Sequence, residues 1–439
     1  MAPATPQAGS TQNEPGSRHS TPPGVPASPP IHAFRHLPSF ASWGLQNKAN
    51  TRSFGHLPTT PRSLTAVATW SPGDWLGGIG SWFGQFKGDG GGSKAKGSGA
   101  RAPEPLVLTL ASFAVTKLAY VRLTKQFREQ YLQRTGVDVR FRLTFAGSGV
   151  QARAVIDGLP AELVALALPL DVDRISASGL ISPAWRSRYP CAATVCETTV
   201  ALVVRAGNPK AITSWEDLTR PGVEVVLANP KTAGVARWIF LALWGSQVQG
   251  ARLNRSGKDA QALEYVKAVF DNVVVQPRDA REASDVFYKQ RVGDVLLTYE
   301  NEVVLTNAVY GDKALPYVVP GCNVRIECPI ALVDAVVDKR PPAVRKAADE
   351  FVQFLFTTPA QREFAKLGFR ANPRVSRVAA EEQVGLPPAK LWSVDQLFGG
   401  WAAAQSRFFD AGGILDVIQE EVGRKRVEQR KVAQAVGRR

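Results

Sequence analysis

The side chains best suited to acid–base and metal chemistry lie outside most of the chain. All four histidines, His19, His32, His36 and His56, fall within the first 60 of 439 residues. If the N-terminal region is removed, no imidazole remains, and Ser-His-Asp and Cys-His catalysis, His-ligated zinc and haem chemistry are excluded. The cysteines are Cys191, Cys196, Cys322 and Cys328. Their spacings, C-x4-C and C-x5-C, suit neither a zinc ribbon nor a redox C-x-x-C motif. Buried free thiols, a disulfide between the two pairs and a metal site are the three readings. The chemistry left is that of the main chain. From Arg140 to Gly158, Phe141, Leu143 and Phe145 alternate with polar residues as in a half-buried strand, and Ala146-Gly-Ser-Gly149 then turns into helical spacing. A helix that starts on small residues presents unpaired N–H groups and the positive end of its dipole, a site for an anion. Ser148 can cap that helix and add a hydroxyl. Taken alone, the loop is equally a plain tight turn.

The elements around it repeat the pattern. Strands are expected at Leu106–Leu110, Glu162–Leu170, Thr198–Arg205, Val223–Leu227, Asn272–Gln276, Gly293–Tyr299 and Ile330–Val333. Helices are expected over Lys117–Gly136, Asp171–Ser178, up to Trp244, Ala260–Phe270, Ala280–Gln290, Pro342–Phe356, Pro359–Leu367, Val394–Gln405 and Ile414–Val436. Such alternation means α/β layers with largely parallel sheets, whose ligands sit at the carboxyl ends of strands. Four strand-to-helix junctions, 112–116, 146–149, 231–236 and 278–282, are small or polar where N–H groups are free. Four in one chain suggest several helix starts converging on one anion.

Charge narrows the partner. The formal net charge is +15, but residues 1–100 carry 8 bases against 3 acids and residues 423–439 carry 7 against 1. Residues 101–422 are nearly balanced, so no nucleic-acid partner is expected. Residues 1–65 are rich in Pro, Ser, Thr and Ala, with Arg18, Arg35, Arg52 and Arg62 and one acid, Glu14. They read as a transit peptide, chloroplast more than mitochondrion; a disordered tail without an address is the alternative. Residues 66–104 are a Gly-rich linker whose Trp70, Trp75, Trp82 and Phe83 either dip into a membrane interface or mark the end of the transit segment. No apolar run reaches the roughly 18 residues a membrane-spanning helix needs. Peripheral membrane contact is open to the stretch Trp70 to Phe86 and to the basic tail, residues 423–439. The tail is otherwise a solvated helix end. Trp238, Trp244 and Trp401 are expected in packing.

Residues 105–422 resemble the bacterial periplasmic sulfate- and thiosulfate-binding proteins, the soluble receptors of ABC importers. The motifs that carry the likeness are Gly147-Ser-Gly149 with Gln151 to Gly158, Leu166-Ala-Leu168 with Asp171, Val204 to Lys210, Asn229-Pro-Lys-Thr232, and Ala236-Arg-Trp238. Gly293-Asp-Val-Leu296 with Glu300-Asn-Glu302, Leu397 to Ala402, and Gly412-Gly413 complete it. The resemblance implies a two-lobed periplasmic-binding-protein-like α/β fold of type II, with the ligand cleft between lobes joined by hinge strands. Lobe I would take residues 105–198 and 305–388, lobe II residues 199–304, and C-terminal helices over 389–422 would pack across both. It also implies a receptor without catalytic residues, cofactor or metal. Such a receptor holds sulfate, thiosulfate or a related tetrahedral oxyanion by neutral donors and delivers it to membrane-embedded permease subunits and their ATPase. By position the backbone donors would be Ala114, Ser148, Gly234, Val235 and Ala280.

Three positions depart from that pattern. Ala233 stands where the family has a serine hydroxyl, with Thr232 beside it, and Val235 replaces a glycine. Tyr299 replaces a tryptophan whose indole N–H points at the anion; its hydroxyl still donates but also accepts. Asp279 stands in place of glycine between Arg278 and Arg281, and is expected to pair with an arginine and face away. Arg153, Arg237 and Arg281 either support the anion site or pair with nearby carboxylates. The competing reading is an enzyme on the same scaffold acting on a phosphorylated or sulfated small molecule, with Cys196, Cys328, Asp279 or Glu300 as its reactive groups.

Overall fold

The computed structural model describes residues 104–249 and 255–436, all within one compact unit, Thr59–Arg439. The leader, nearly all of the linker and the aromatic stretch Trp70 to Phe86 lie outside the described residues. In chain order, β1 (Leu106–Phe113) runs through a 3-10 turn (Ala114–Thr116) into α1 (Lys117–Thr135). Then follow β2 (Val139–Ala146), α2 (Ser148–Ile156), β3 (Leu163–Ala165), α3 (Pro169–Ala177), β4 (Thr194–Thr198), β5 (Val200–Val204), β6 (Val225–Val226) and α4 (Gly234–Val248). Next come α5 (Arg255–Asp271), β7 (Val273–Val275), α6 (Ala280–Tyr288), β8 (Val295–Tyr299) and α7 (Glu300–Tyr310). The chain closes with β9 (Tyr317–Val318), β10 (Cys322–Val324), β11 (Ile326–Leu332), α8 (Pro342–Leu355), α9 (Thr358–Lys366), β12 (Lys390–Trp392) and α10 (Ile414–Val436).

Two five-stranded sheets make two lobes. The first has the order β2-β1-β3-β11-β4 and the second β7-β6-β8-β5-β9. In the first, β1 lies parallel to β2 and β3, while β11 runs antiparallel to β3 and β4. In the second, β6 is parallel to β7 and β8, and β5 is antiparallel to β8 and β9. The central strands read as continuous apolar runs because both faces are covered: every residue of β5 and of β8 is buried. The chain leaves the first lobe at Thr199 and returns through β10 into β11. These crossings are tied together: the Thr199 hydroxyl donates to the Val324 carbonyl at 2.8 Å, and Asn323 Nδ2 donates to the Val200 carbonyl at 2.8 Å.

The structure corrects several expected boundaries. Thr198–Arg205 is not one strand: Thr198 is the last residue of β4 in the first sheet, the ladder breaks at Thr199, and only Val200–Val204 forms β5 of the second sheet. Glu162–Leu170 is strand only over Leu163–Ala165; Pro169 starts a helix, its fixed φ and missing N–H being harmless at the first helical position. The single helix expected over Val394–Gln405 is broken at Gly399 and Gly400, both at positive φ. All four cysteines are free, Cys196 and Cys328 buried, so no disulfide joins the pairs. No helix among the described residues is long and apolar enough to cross a membrane.

The C-terminal segment reaches the second lobe through a close approach. A Cβ on Gly245 of α4 would sit 2.6 Å from Trp392 Cη2 of β12. The flat indole has no room to retreat into a packed core. Gly245→Ala is therefore expected to destabilise the fold by about 1–3 kcal/mol, seen as a lower denaturation midpoint with unchanged slope.

Candidate functional site

Five element starts carry the residues singled out by sequence. In the first lobe, Phe113 ends β1 in extended geometry and Ala114 opens the 3-10 turn. The Ser112 and Thr116 hydroxyls lie 2.7 Å apart, and Thr116 also donates to the Phe113 carbonyl at 2.6 Å, which fixes that turn. Gln151 Nε2 donates to the Ser112 carbonyl at 3.1 Å and binds α2 to the same strand end. The helix cap of α2 is the extended Gly147 rather than Ser148. Ser148 is its first helical residue, and its hydroxyl is spent inward: it donates to Asp171 Oδ2 at 2.6 Å and accepts the Ala167 N–H at 3.0 Å. Asp171 is fully buried and also meets Arg174 Nη1 at 3.2 Å. Burial pushes its carboxyl up; the Ser148 hydrogen bond and the charges of Arg237 and Arg174 pull it back.

In the second lobe, the N–H groups of Thr232 and Ala233 both donate to the Asn229 carbonyl, at 3.1 and 2.9 Å, folding Asn229 to Ala233 into a turn. Ala233, with no hydroxyl, thus has its amide engaged as well. It is the extended cap of α4, and Gly234 and Val235 form the first turn. The Thr232 hydroxyl donates to the Arg278 carbonyl at 2.7 Å, coupling this loop to the start of α6. Asp279 caps α6, its Oδ1 accepting the Glu282 N–H at 2.9 Å. Its carboxylate therefore serves its own helix, with Arg278 Nε 3.8 Å away. Tyr299 caps α7 and is buried; its hydroxyl forms no hydrogen bond with a described residue. Burial raises the phenol well above its ordinary range, helped by charge on Cys328, Asp171 and Glu302, so it stays a neutral donor.

These starts meet on one seam between the lobes. The Phe113 and Tyr299 rings pack edge to face with centroids 6.2 Å apart. A Cβ on Gly147 would lie 3.5 Å from the Thr232 carbonyl oxygen, and one on Gly234 would lie 3.4 Å from Ala167 Cβ. α6 packs against the 3-10 turn Ala114–Thr116. Trp238 Nε1 donates to the Ala167 carbonyl at 2.8 Å, a direct bond between lobes. A cavity of about 310 Å³ opens along the seam between Gly149, Arg153 and Arg174 on one side and Thr232, Gly234 and Arg237 on the other. The first-turn N–H groups of Ser148, Gly234, Val235 and Ala280 have no intrahelical acceptor, and none donates to a loop carbonyl or side chain among the described residues.

The arginines divide. Arg153 pairs with Asp157 at 2.7 Å, out in solvent. Arg281 turns to the fully buried Glu302, 3.1 Å from its Oε1. Arg237 borders the cavity, donating to the Pro230 carbonyl and to Gln405 Oε1; burial depresses its pKa and the Asp171 charge opposes that. Sequence reasoning passed over two contributors. Trp238 is buried as expected, yet its indole N–H spans the lobes. Asp171 stands in the sequence only as a motif residue: it lies 23 positions from Ser148, on the next helix, and no local spacing signals that it holds that hydroxyl.

Two outcomes follow from these contacts. Ser148→Ala leaves the Asp171 carboxylate and the Ala167 N–H short of a partner in the interior, and is expected to cost about 1–3 kcal/mol in equilibrium unfolding. Burial raises Glu302 to about 7 against the opposing charge of Arg281. A carboxyl raised on folding binds its proton more tightly in the native state, so stability declines as pH rises from the unfolded carboxylate range, about 4.3, to 7. Denaturation midpoints should fall across that window, and Glu302→Gln should remove this part of the fall.

Residues 108–370 match the family model described as bacterial extracellular solute-binding protein. The chain is 44% identical over 333 residues to the sulfate-binding protein of Synechococcus elongatus, covering 76% of this chain and 91% of that one. It is 32% identical over 325 residues to the thiosulfate-binding protein of Pseudomonas aeruginosa, covering 74% and 95%. Among solved structures, the sulfate-binding protein SubI from Mycobacterium tuberculosis superposes with a TM-score of 0.60 at 32% identity, covering 70% of this chain and all of that one. The two-lobed architecture, the order of elements and these likenesses agree: the chain belongs to the sulfate- and thiosulfate-binding group of the bacterial extracellular solute-binding protein family.

Proposed function

We propose that the protein is a receptor that binds sulfate, thiosulfate or a related tetrahedral oxyanion between its lobes and hands it to the permease and ATPase of an ABC importer. The observation that carries this reading is the gathering of first-turn N–H groups from both lobes, at Ser148, Gly234, Val235 and Ala280, on one seam with the Tyr299 hydroxyl, which has no hydrogen-bond partner among the described residues. Fixed dipoles of this kind offset a dianion without a cation in direct contact. Asp279 Oδ1 is engaged by its own helix, accepting the Glu282 N–H. The names of the relatives, sulfate-binding and thiosulfate-binding, support the same ligand class.

The enzymatic alternative finds its reactive groups engaged elsewhere. Glu300 is held by Arg370 through two hydrogen bonds of 2.6 and 2.8 Å, Asp279 is a helix cap, and Cys196 and Cys328 are buried thiols. The setting we infer is the chloroplast envelope. The motive is the Arg- and Ser-bearing, acid-poor leader, and import of a reporter fused to residues 1–100 into isolated plastids tests it. The exposed basic end of α10, with Arg424 and Lys431, offers peripheral contact with an anionic membrane.

Titration calorimetry on the full chain with sulfate, thiosulfate, molybdate and phosphate tests the ligand. Sulfate or thiosulfate should bind well below millimolar; a folded protein that binds none of the four in that range overturns the reading. Tyr299→Phe keeps the ring and removes the donor, and should weaken binding of the preferred oxyanion about 10- to 100-fold, as loss of a hydrogen bond to a charged group does.

A further inference from the structure

Two of the four thiols face each other where the chain passes between lobes. β4 and β11 are antiparallel, and their register sets Cys196 directly opposite Cys328, with Glu197 opposite Glu327 and Thr198 opposite Ile326. The carbonyl of Glu197 accepts from the Arg370 N–H at 2.7 Å, on the side away from β11. Backbone groups alternate sides along a strand, so Glu197 and Glu327 form a non-hydrogen-bonded pair and Cys196 with Cys328 a hydrogen-bonded one. The two thiols are within hydrogen-bonding reach of each other, and such a pair holds its Cα atoms about 5.5 Å apart, inside the range of about 4.4–6.8 Å that a disulfide spans; the strands must draw in to bring the Cβ atoms to about 3.8 Å. The register shifts immediately after Cys328, at Pro329, so the ladder is already irregular there. Both cysteines are free and buried. Burial and the neighbouring Cys328 thiol hold the Cys196 thiol protonated, so it reacts when the two strands part and is protected when they are closed.

The position gives the pair a consequence. β4 leads through Thr199 into the second lobe, and β11 receives the chain on its return, so both cysteines sit on the strands that carry the two crossings. We propose that Cys196 and Cys328 are a redox-modified pair, closed to a disulfide across the hinge strands by exchange with a small-molecule disulfide such as glutathione disulfide. One protein thiolate attacks the glutathione disulfide and releases one glutathione as thiol. The second then attacks the protein sulfur of the mixed disulfide and releases the other. The protein loses two protons and two electrons, and the glutathione disulfide gains them. The staple joins the outgoing and returning strands within the first lobe's sheet, a few residues before both crossings, and so stiffens the base from which the crossings leave. Its effect on ligand exchange rests on the receptor reading above; its formation does not.

The test incubates the full chain with glutathione disulfide, blocks remaining thiols by alkylation, and maps peptides by mass spectrometry. The expected result is a loss of two of the four alkylatable thiols, a peptide carrying Cys196 linked to one carrying Cys328, and full reversal by dithiothreitol. Cys328→Ser should instead retain glutathione on Cys196; if that variant fails to fold, the wild-type peptide map still decides. Persistence of both thiols while Cys191 or Cys322 takes up glutathione overturns the proposal, as does a wild-type mixed disulfide that never resolves. Stopped-flow tryptophan fluorescence with sulfate should then show slower exchange in the oxidised form; unchanged exchange overturns the hinge role. A protein that forms the linkage but binds no oxyanion in either state sinks the receptor reading and leaves the pair standing.

Discussion

An α-helix cannot use the N–H groups of its own first turn, and this constraint organises the molecule. Each lobe enters a helix through small residues, Ala146-Gly147 at the end of β2 and Ala233-Gly234 after the turn that follows β6, so that helix starts lie open between the lobes. What surrounds them serves to keep those amides dry without giving them a partner. Hydroxyls and carboxylates that would compete for them are drawn elsewhere: Ser148 to Asp171, Thr232 to the Arg278 carbonyl, Asp279 to the amide of Glu282.

Much of this was legible in the chain, for reasons that differ by feature. The α/β alternation and the helix starts at Ser148, Gly234 and Ala280 were readable because period and small-residue punctuation are local signals. The break at Thr199 was not, because Thr194 to Val204 is a run of strand-forming residues and only the tertiary arrangement sends its halves to different sheets. Pairing across long separations was equally hidden. Cys196 and Cys328 are 132 positions apart in sequence, and nothing local sets their register. Asp279 read as an acid near an anion; its capping bond depends on backbone geometry that spacing alone does not fix.

Buried charge is concentrated at the junction of the lobes. Glu300 with Arg370, Glu302 with Arg281, and Glu197 with Asn372 and Arg325 all lie within a few residues of the crossing strands. Isolated charges are costly in an interior, and paired ones contribute little net stability against apolar replacements. Their value here is directional. An ion pair with fixed geometry is more directional than an apolar contact, so these pairs set the orientation of the crossing strands.

The indole of Trp238, bonded to the Ala167 carbonyl across the seam, bears on how the lobes share their populations. When they separate, water replaces that bond, so its net worth is only about 1 kcal/mol, roughly a fivefold bias toward closure. A contact of that size tilts an equilibrium without fixing it. A clasp much stronger would hold the lobes shut around nothing, and one much weaker would leave the whole work of closure to the cargo.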